Sequence, residues 1–327
     1  MSERGPTSHD VAREAGVSQS AVSRAFTPGA SVSPEMRATI EAAAARLGYR
    51  PSRLPGIMRS GKSGIVAVVV GGLYNPFHTM TLEAFTRALK AAGKQTLLVQ
   101  VDSDRDLDEA VNELVALRID GVLSALSLSS RAMATELDRH RLPIVVLNSP
   151  FESEWVRVVS SDNRGAGQRA AELLVHTGCR RPAWIVGPAE APGHAERAEG
   201  FVATLNAVGM LDVAGLHGQY GYEWGRDAAS SLLERTHRPD GLFCGNDLIA
   251  AGVIDRWAEA GLTAPRDFRI IGYDDVPTAA WAHYQLTSFD QDVDRMATLA
   301  VELLENRPGI QQTPLIVRPH LIRRRSC

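Results

Sequence analysis

Residues 7–26 read TSHDVAREAGVSQSAVSRAF, and no other part of the chain is so explicit about its architecture. Thr7-Ser8-His9-Asp10 has the spacing of a capping box, in which the Thr7 hydroxyl accepts from the backbone three residues on and Asp10 reaches back. A short helix follows, with Val11, Ala12 and Ala15 on one face. Gly16 can take the left-handed conformation that ends a helix, and Ser18 can cap the next. That second helix is Gln19–Phe26. A third opens at Ser33-Pro34-Glu35, with Ser33 as N-cap, Pro34 at the first helical position and an acid in the first turn. It runs to about Leu47 and stops at Gly48. Two short helices joined by a tight glycine turn and closed by a third make a helix-turn-helix, with Val11, Ala15, Val17, Val22, Ile40 and Leu47 as its small core. In such a unit the second helix lies in the major groove of DNA with its N-terminal residues on base edges. Gln19 and Ser20 are therefore candidates for base reading, and Arg24, one turn on, can fork onto guanine or hold a phosphate. A plain three-helix bundle with a solvated polar face fits the same pattern.

The charge is distributed to match. The 327 residues carry a net −3, yet residues 1–62 hold nine Arg and Lys against five acids, and the remainder 26 against 33. A basic head on an acidic body meets a polyanion through its head alone. With 44% hydrophobic and 22% charged residues the body has the composition of a globular protein. Cys179, Cys244 and Cys327 form neither a metal-type spacing nor a disulfide framework, which suits a reducing cytoplasm and implies no metal and no cofactor. The opening MSERGPTSHD lacks the apolar segment of a secretory leader, and no run approaches the ~20 apolar residues of a membrane span.

The segments DVAREAGVSQSAVSRAF and VSPEMRATIEAAAARLGYRPSR closely resemble the DNA-binding head of the LacI/GalR family, down to the Gly48, Tyr49 and Pro51 ending. That resemblance implies a sequence-specific transcriptional regulator, by default a repressor, working as a homodimer on near-palindromic double-stranded operator DNA. The DNA-contact set is Thr7, Ser18, Gln19, Ser20, Ser23, Arg24, Tyr49 and Arg53, joined by Met58. The family's hinge helix wedges an apolar side chain into the minor groove, and Met58 stands where Leu is usual. Pro55-Gly56 replaces the usual Ala-Arg, which predicts a weaker hinge helix, because Gly costs roughly 1 kcal/mol relative to Ala. Gly56–Ser63 also spells the phosphate-loop pattern GxxxxGK[ST], but that motif needs a strand before it, and here the strand follows.

From Gly64 the chain alternates Val/Ile-rich runs with amphipathic segments. Strands are predicted at Ile65–Val70, Thr96–Val101, Gly121–Ala125, Ile144–Leu147, Ala183–Val186, Gly241–Cys244 and Arg269–Ile271. Helices are predicted at Thr79–Ala92, Leu107–Leu117, Gly165–Thr177, Ala195–Val208, Gly225–Arg235 and Asp247–Ala260. This is the pattern of parallel sheets covered on both faces, whose ligands bind beyond the carboxyl ends of the strands. Asn75-Pro76-Phe77, Asp162-Asn163-Arg164-Gly165, Phe243-Cys244-Gly245-Asn246-Asp247 and Ile271-Gly272-Tyr273-Asp274-Asp275 resemble the same family's sensor core, which has the fold of periplasmic sugar-binding proteins. The implied organisation is a head over 1–51, a hinge over 52–62 and an effector-binding and dimerisation domain over 63–327. Its two doubly wound lobes are about 63–160 with 291–318, and about 161–290 with 319–327.

Carboxylate, amide and guanidinium groups can each engage two vicinal hydroxyls of a sugar, while an aromatic face covers the apolar side of the ring. The effector candidates are Arg197, Asn246, Asp274 and Gln291, with Asn148 as a further polar group and Phe77, Tyr220 and Trp224 as platforms. By the resemblance Arg197, Asn246, Asp274 and Tyr220 fall on effector-contacting positions. Each has a bland alternative: Trp224 can be core packing, Asp247 can simply cap its helix, and Leu82, Phe85 and Leu89 can be a dimer contact or core. Ala191 stands where purine-sensing relatives carry Arg, which favours a sugar. The nine His form no HExxH spacing, and there is no Gly-x-Ser-x-Gly elbow, so no enzyme is implied. A glycosidase or a cytoplasmic sugar-binding protein without DNA regulation remains the alternative, against which the basic head stands. With no heptad tail after Arg323-Arg324-Arg325-Ser326-Cys327, a dimer is expected rather than a tetramer.

Overall fold

The computed structural model describes residues 5–27, 29–50, 62–102, 105–128, 130–306 and 314–327. It divides into two compact units, Met1–Ser63 and Gly64–Cys327. The readings of Arg53, Pro55, Gly56 and Met58 lie outside the described residues.

In the first unit, α1 is Ser8–Ala15, α2 is Gln19–Ala25 and α3 is Pro34–Leu47. The capping box closes in both directions: the Thr7 backbone N–H donates to Asp10 Oδ2 at 3.0 Å, and the Asp10 N–H donates to Thr7 Oγ1 at 3.4 Å. Gly16 ends α1 at φ 66°. Ser18 and Ser33 cap the next two helices by accepting from Ala21 and Met36. The small core joins Val11, Val22 and Ile40 to a set of alanines, Ala12, Ala21, Ala25, Ala43 and Ala44, while Ala15, Val17 and Leu47 are packed at its edge. Alanines let the three helix backbones approach closely, which is how so short a segment buries enough apolar surface to stay folded.

The second unit holds two parallel sheets. The first contains β1 Ile65–Val70, β2 Gln95–Gln100, β3 Gly121–Ser124, β4 Ile144–Leu147, β5 Val156–Ser161 and β11 Leu315–Val317, in the order β11-β5-β4-β3-β1-β2. The second contains β6 Pro182–Val186, β7 Ala214–His217, β8 Gly241–Cys244 and β9 Arg269–Ile271, in the order β7-β6-β8-β9. A short antiparallel pair, β10 Ser288–Asp290 with β12 His320–Ile322, stands beside it. Helices α4 Pro76–Ala91, α5 Arg105–Ala116 and α6 Arg131–Asp138 follow strands of the first sheet, and α7 Asn163–His176, α8 Pro192–Ala207, α9 Tyr222–Leu233 and α10 Asp247–Glu259 flank the second. The last helix, α11 Val293–Glu305, returns to the first sheet, where Met296 and Ala300 pack with Val66, Val68 and Leu123. The chain thus passes between lobes at β5–α7, β10–α11 and β11–β12.

These topologies place the ligand-binding ends. In the first sheet the strand order reverses between β1 and β3, and in the second between β6 and β8. At such switch points the following loops part in opposite directions and leave a crevice beyond the carboxyl ends. Phe85 and Leu89 on α4 are fully buried in the first lobe's core and Leu82 packs against it, so the first two are core residues rather than a dimer contact.

Candidate functional site

The second helix of the head presents an exposed polar face. On α2, Ala21, Val22 and Ala25 are buried, and Gln19, Ser20, Ser23 and Arg24 are exposed on the opposite side. Gln19 Nε2 donates to Ser8 Oγ at 3.3 Å, and Ser18 Oγ lies 2.9 Å from Ser20 Oγ, which orients these polar groups without burying them. Arg13 pairs with Asp10 and Arg46 with Glu14, and Arg37 donates to the Ala25 and Ala30 carbonyls. Among the described residues Arg24 has no carboxylate partner, so its guanidinium is the cation on this face available to an external anion. Thr7 and Ser18 use their hydroxyls as caps. Tyr49 is half-buried with its ring 6.0 Å from Phe26.

In the second unit a cavity of about 330 Å³ opens where both switch points face each other. The loop after β1 and the start of α4 bring Asn75, Phe77 and His78; the loop after β3 brings Leu126 and Ser127; Asn148 follows β4. From the other lobe come His194 and Arg197 of α8, Tyr220, Asn246 and Asp274, while Gln291 sits just after β10, in the crossover to α11. Of the sequence-predicted effector residues, Phe77, Asn148, Arg197, Tyr220, Asn246, Asp274 and Gln291 all line this space. Trp224 does not: it lies half-buried against Gly218 and the second lobe's core, and its indole N–H donates to the Val186 carbonyl at 2.9 Å. Its place on α9, four residues beyond Tyr220, turns it inward where Tyr220 faces the cleft.

The polar groups form one linked chain. Asn148 Nδ2 donates to Gln291 Oε1 at 3.1 Å, and Gln291 Nε2 donates to Asp274 Oδ1 at 2.6 Å. Asn148 and Asp274 both adopt positive φ, 52° and 103°. Strained backbone held at two strand ends is a hallmark of positions whose side chains must point one way. Burial pushes the Asp274 carboxyl up to about 7, a shift that nearby Arg197 and the Gln291 hydrogen bond only partly oppose. Arg197 donates through Nε to Asn163 Oδ1 at 2.9 Å and through Nη1 to the Gly245 carbonyl, with its guanidinium 3.7 Å above the Tyr273 ring. Asn163, the first residue of α7, also accepts from the Tyr273 hydroxyl at 3.2 Å. What lets α7 and α8 meet there is glycine: a methyl group on Gly167 would collide with the Arg197 carbonyl, and one on Gly200 with that of Arg164.

One further reading changes with the structure. Asn246, not Asp247, caps α10, accepting from the Ile249 N–H at 2.8 Å while donating to the Tyr220 carbonyl at 2.8 Å. Asp247 is buried, accepts from the Val276 N–H and the Ser288 hydroxyl, and is pushed well above the usual carboxylate range by burial and by Asp274. His194 and His78 were absent from the sequence reading. His194 Nδ1 accepts from the Gly187 N–H at 2.9 Å, its ring lies edge-on to Tyr220, and burial lowers its pKa well below normal, so it is a neutral ring. It precedes Arg197 by three residues on one helix, a spacing that puts both on one face and is the signal that could have found it. A second hollow, of about 600 Å³, is lined by Ala195, Ala198, Val202 and Trp184 and edged by the Arg164–Glu199 ion pair, without comparable convergence of polar groups. Among the described residues no cluster of His, Cys, Asp or Glu could hold a metal ion, and no helix is long and apolar enough to cross a membrane.

An outward helix face with an available arginine is chemistry for a duplex, and a polar cleft at facing switch points is chemistry for a small molecule. One chain holding both is a ligand-responsive regulator of transcription. Residues 7–52 match the family described as bacterial regulatory proteins, lacI family, and residues 171–327 match the periplasmic binding protein-like domain. The ribose operon repressor of Escherichia coli strain K12 is 30% identical over 98% of this chain and 99% of its own. The lac repressor dimer bound to operator and the anti-inducer ONPF superposes with a TM-score of 0.88 over 99% of both chains at 22% identity. The transcriptional regulator CelR–cellobiose complex does so at 0.73 over 98% and 100%, with 30% identity. The chain belongs to the LacI family: a transcriptional regulator, not an enzyme.

Proposed function

We propose that this regulator represses by binding a near-palindromic operator as a homodimer in the cytoplasm, and that a sugar bound between its lobes controls that affinity. The observation that carries the effector reading is the convergence of Asp274, Arg197, Asn148 and Gln291, contributed by both lobes, on one cavity also lined by Phe77 and Tyr220. Paired acceptors and donors suit vicinal hydroxyls, and the rings suit the apolar face of a pyranose or furanose. A group that contacts both lobes favours one angle between them, and a ligand shifts an equilibrium only by its differential affinity for the two states. The coupling expected is ~1–3 kcal/mol. Similar proteins carry sugars in their names, ribose for the operon repressor and cellobiose for the CelR complex.

On the DNA side, Gln19, Ser20, Ser23 and Arg24 read bases and phosphates, with Thr7, Ser18, Tyr49, Arg53 and Met58 completing the contact set. The boundaries that go with this reading are the head at 1–51, the hinge at 52–62 and the sensor at 63–327. The test is a gel shift on the DNA upstream of the regulator's own gene, with and without sugars that raise its melting temperature. Binding that one sugar releases supports induction, and binding that a sugar strengthens replaces release with co-repression. No retarded band at low salt defeats the DNA reading, and no melting shift with any pentose, hexose or disaccharide defeats the sugar reading.

A further inference from the structure

The cavity between the lobes is unevenly charged. Asp102 lies in the loop between β2 and α5 of the first lobe, and Glu190 in the loop between β6 and α8 of the second. Both line the cavity and both are exposed, so they flank its opening to solvent, one from each lobe. Neither carboxylate has a hydrogen-bond or ion-pair partner among the described residues. Asp274, buried in the same cavity, adds a third acidic group. Against these stands the guanidinium of Arg197, which already holds Asn163 and the Gly245 carbonyl and lies over the Tyr273 ring. The other basic groups among the described lining residues are the imidazoles of His78 and His194. Burial keeps both uncharged at neutral pH, lowering His78 to about 4 and His194 well below its ordinary value.

A cleft lined by one sign of charge concentrates ions of the opposite sign and repels those of its own. A phosphomonoester brings about −1.5 to −2 charges at neutral pH, and a sugar acid also arrives as an anion. Either must pass Asp102 and Glu190 and then compete with Asp274 for a guanidinium that is already engaged. An uncharged sugar meets no such barrier, and its hydroxyls can donate to the same carboxylates. A binding site discriminates through the groups that repel a rival as well as through those that hold its ligand.

We infer that Asp102 and Glu190 are charge-selectivity residues of the effector cleft, and that the effector is a sugar bearing neither phosphate nor carboxylate. The inference rests on the sugar reading above. In chemical terms the regulator reports a sugar before a phosphoryl transfer to it, not after.

The test is calorimetric titration of the full chain with pentoses, hexoses and disaccharides and with the monophosphate of each. Wild type should bind an unphosphorylated sugar about 100-fold more tightly than its monophosphate. Raising the salt from about 0.05 M to about 0.5 M should narrow that gap, because charges at an exposed opening are screened. The double variant Asp102→Asn with Glu190→Gln, nearly isosteric at two exposed positions, should narrow the gap roughly tenfold and make it less sensitive to salt. Should the double variant fold poorly, the wild-type salt series carries the comparison. Monophosphate binding to wild type as tight as that of the free sugar, or tighter, overturns the inference. So does a gap unchanged by salt or by the double variant, since exclusion by shape alone would give that result. A wild type that binds neither form of any sugar overturns the sugar reading and this inference together, whereas one that binds only a phosphorylated sugar overturns the inference alone.

Discussion

The head and the cleft solve the problem of holding functional side chains in opposite ways. On α2 the inward face, Ala21, Val22 and Ala25, holds the helix while the outward face, Gln19, Ser20, Ser23 and Arg24, does no packing. On the proposed reading, fold and function there sit on different residues. In the cleft they share them: Arg197 ties α7 to the loop after β8, Asn246 caps α10, and Gln291 links Asn148 to Asp274. A head can therefore change its DNA preference without endangering its stability, whereas a cleft can change its ligand only by rebuilding part of its core.

Two arginine truncations expose the contrast most strongly. Arg197→Ala strips a 4%-exposed guanidinium from Asn163, the Gly245 carbonyl and the Tyr273 face. Charged hydrogen bonds of this kind are worth roughly 1.5–3 kcal/mol each, and the acceptors left behind stay buried. Denaturant unfolding should show a loss of about 2–4 kcal/mol, and effector binding should vanish. Arg24→Ala should leave stability within about 0.5 kcal/mol while weakening operator binding by 1–3 kcal/mol, about 5- to 150-fold, in a salt-controlled titration. If Arg197→Ala melts like wild type, the shared-residue account of the cleft is wrong. A large drop in melting temperature for Arg24→Ala would instead break the account of the head.

The same contrast explains what the sequence disclosed. Each signal in the head is local: Thr7 and Asp10 are three residues apart, and Gly16, Ser18, Ser33 and Pro34 act within a turn, so all three helices were legible. The cleft draws on strand ends scattered from Asn75 to Gln291, and only the strands and the resemblance located it. Tyr220 and Trp224 look alike as aromatic residues near a strand end, and only the direction of α9 separates them. Strand β5 escaped notice because Arg157 interrupts its apolar run, although the structure buries that side chain and satisfies it on the Leu303 carbonyl at 3.0 Å. Strands β10, β11 and β12, at three residues each, are too short to show a period. Helices α6 and α11 likewise lie outside the predicted set.

A pH experiment sharpens the comparison further. The Asp274 carboxyl titrates near 7 in the folded chain against an ordinary 3.8. Between those values the folded state holds a proton that the unfolded chain lacks, so this group's contribution to stability declines as pH rises through the window. Asp247, shifted in the same direction, adds to the same trend. Asp274→Asn, which mimics the protonated form, should flatten the decline and melt higher than wild type at pH 8. Effector affinity should run the other way, because the ionised carboxylate is the stronger acceptor for sugar hydroxyls. With a pKa near 7, affinity should rise roughly tenfold from pH 6 to pH 8 in wild type and stay flat in the variant. A wild-type profile flat across that range would remove Asp274 from the ligand's contacts.

The smallest effect tests the placement of Trp224. Its indole donates to the Val186 carbonyl at the end of β6 and packs over Gly218, so it braces the strand end from which the loop toward His194 departs, without lining the cavity. Trp224→Phe keeps an aromatic body, removes one neutral hydrogen bond and leaves a carbonyl to find water, which amounts to about 1 kcal/mol. Thermal unfolding should register that loss while calorimetry finds sugar affinity within about twofold of wild type. Tyr220→Ala should behave in reverse, since the residue is 40% exposed and lines the cavity: affinity falls more than stability, which loses the ring's contacts with His194 and Gly187. If the tryptophan variant proves the weaker binder of the two, the ring platform of the cleft has been assigned to the wrong end of the loop that precedes α9. The sugar would then have to approach from the side of β7 rather than from between the lobes.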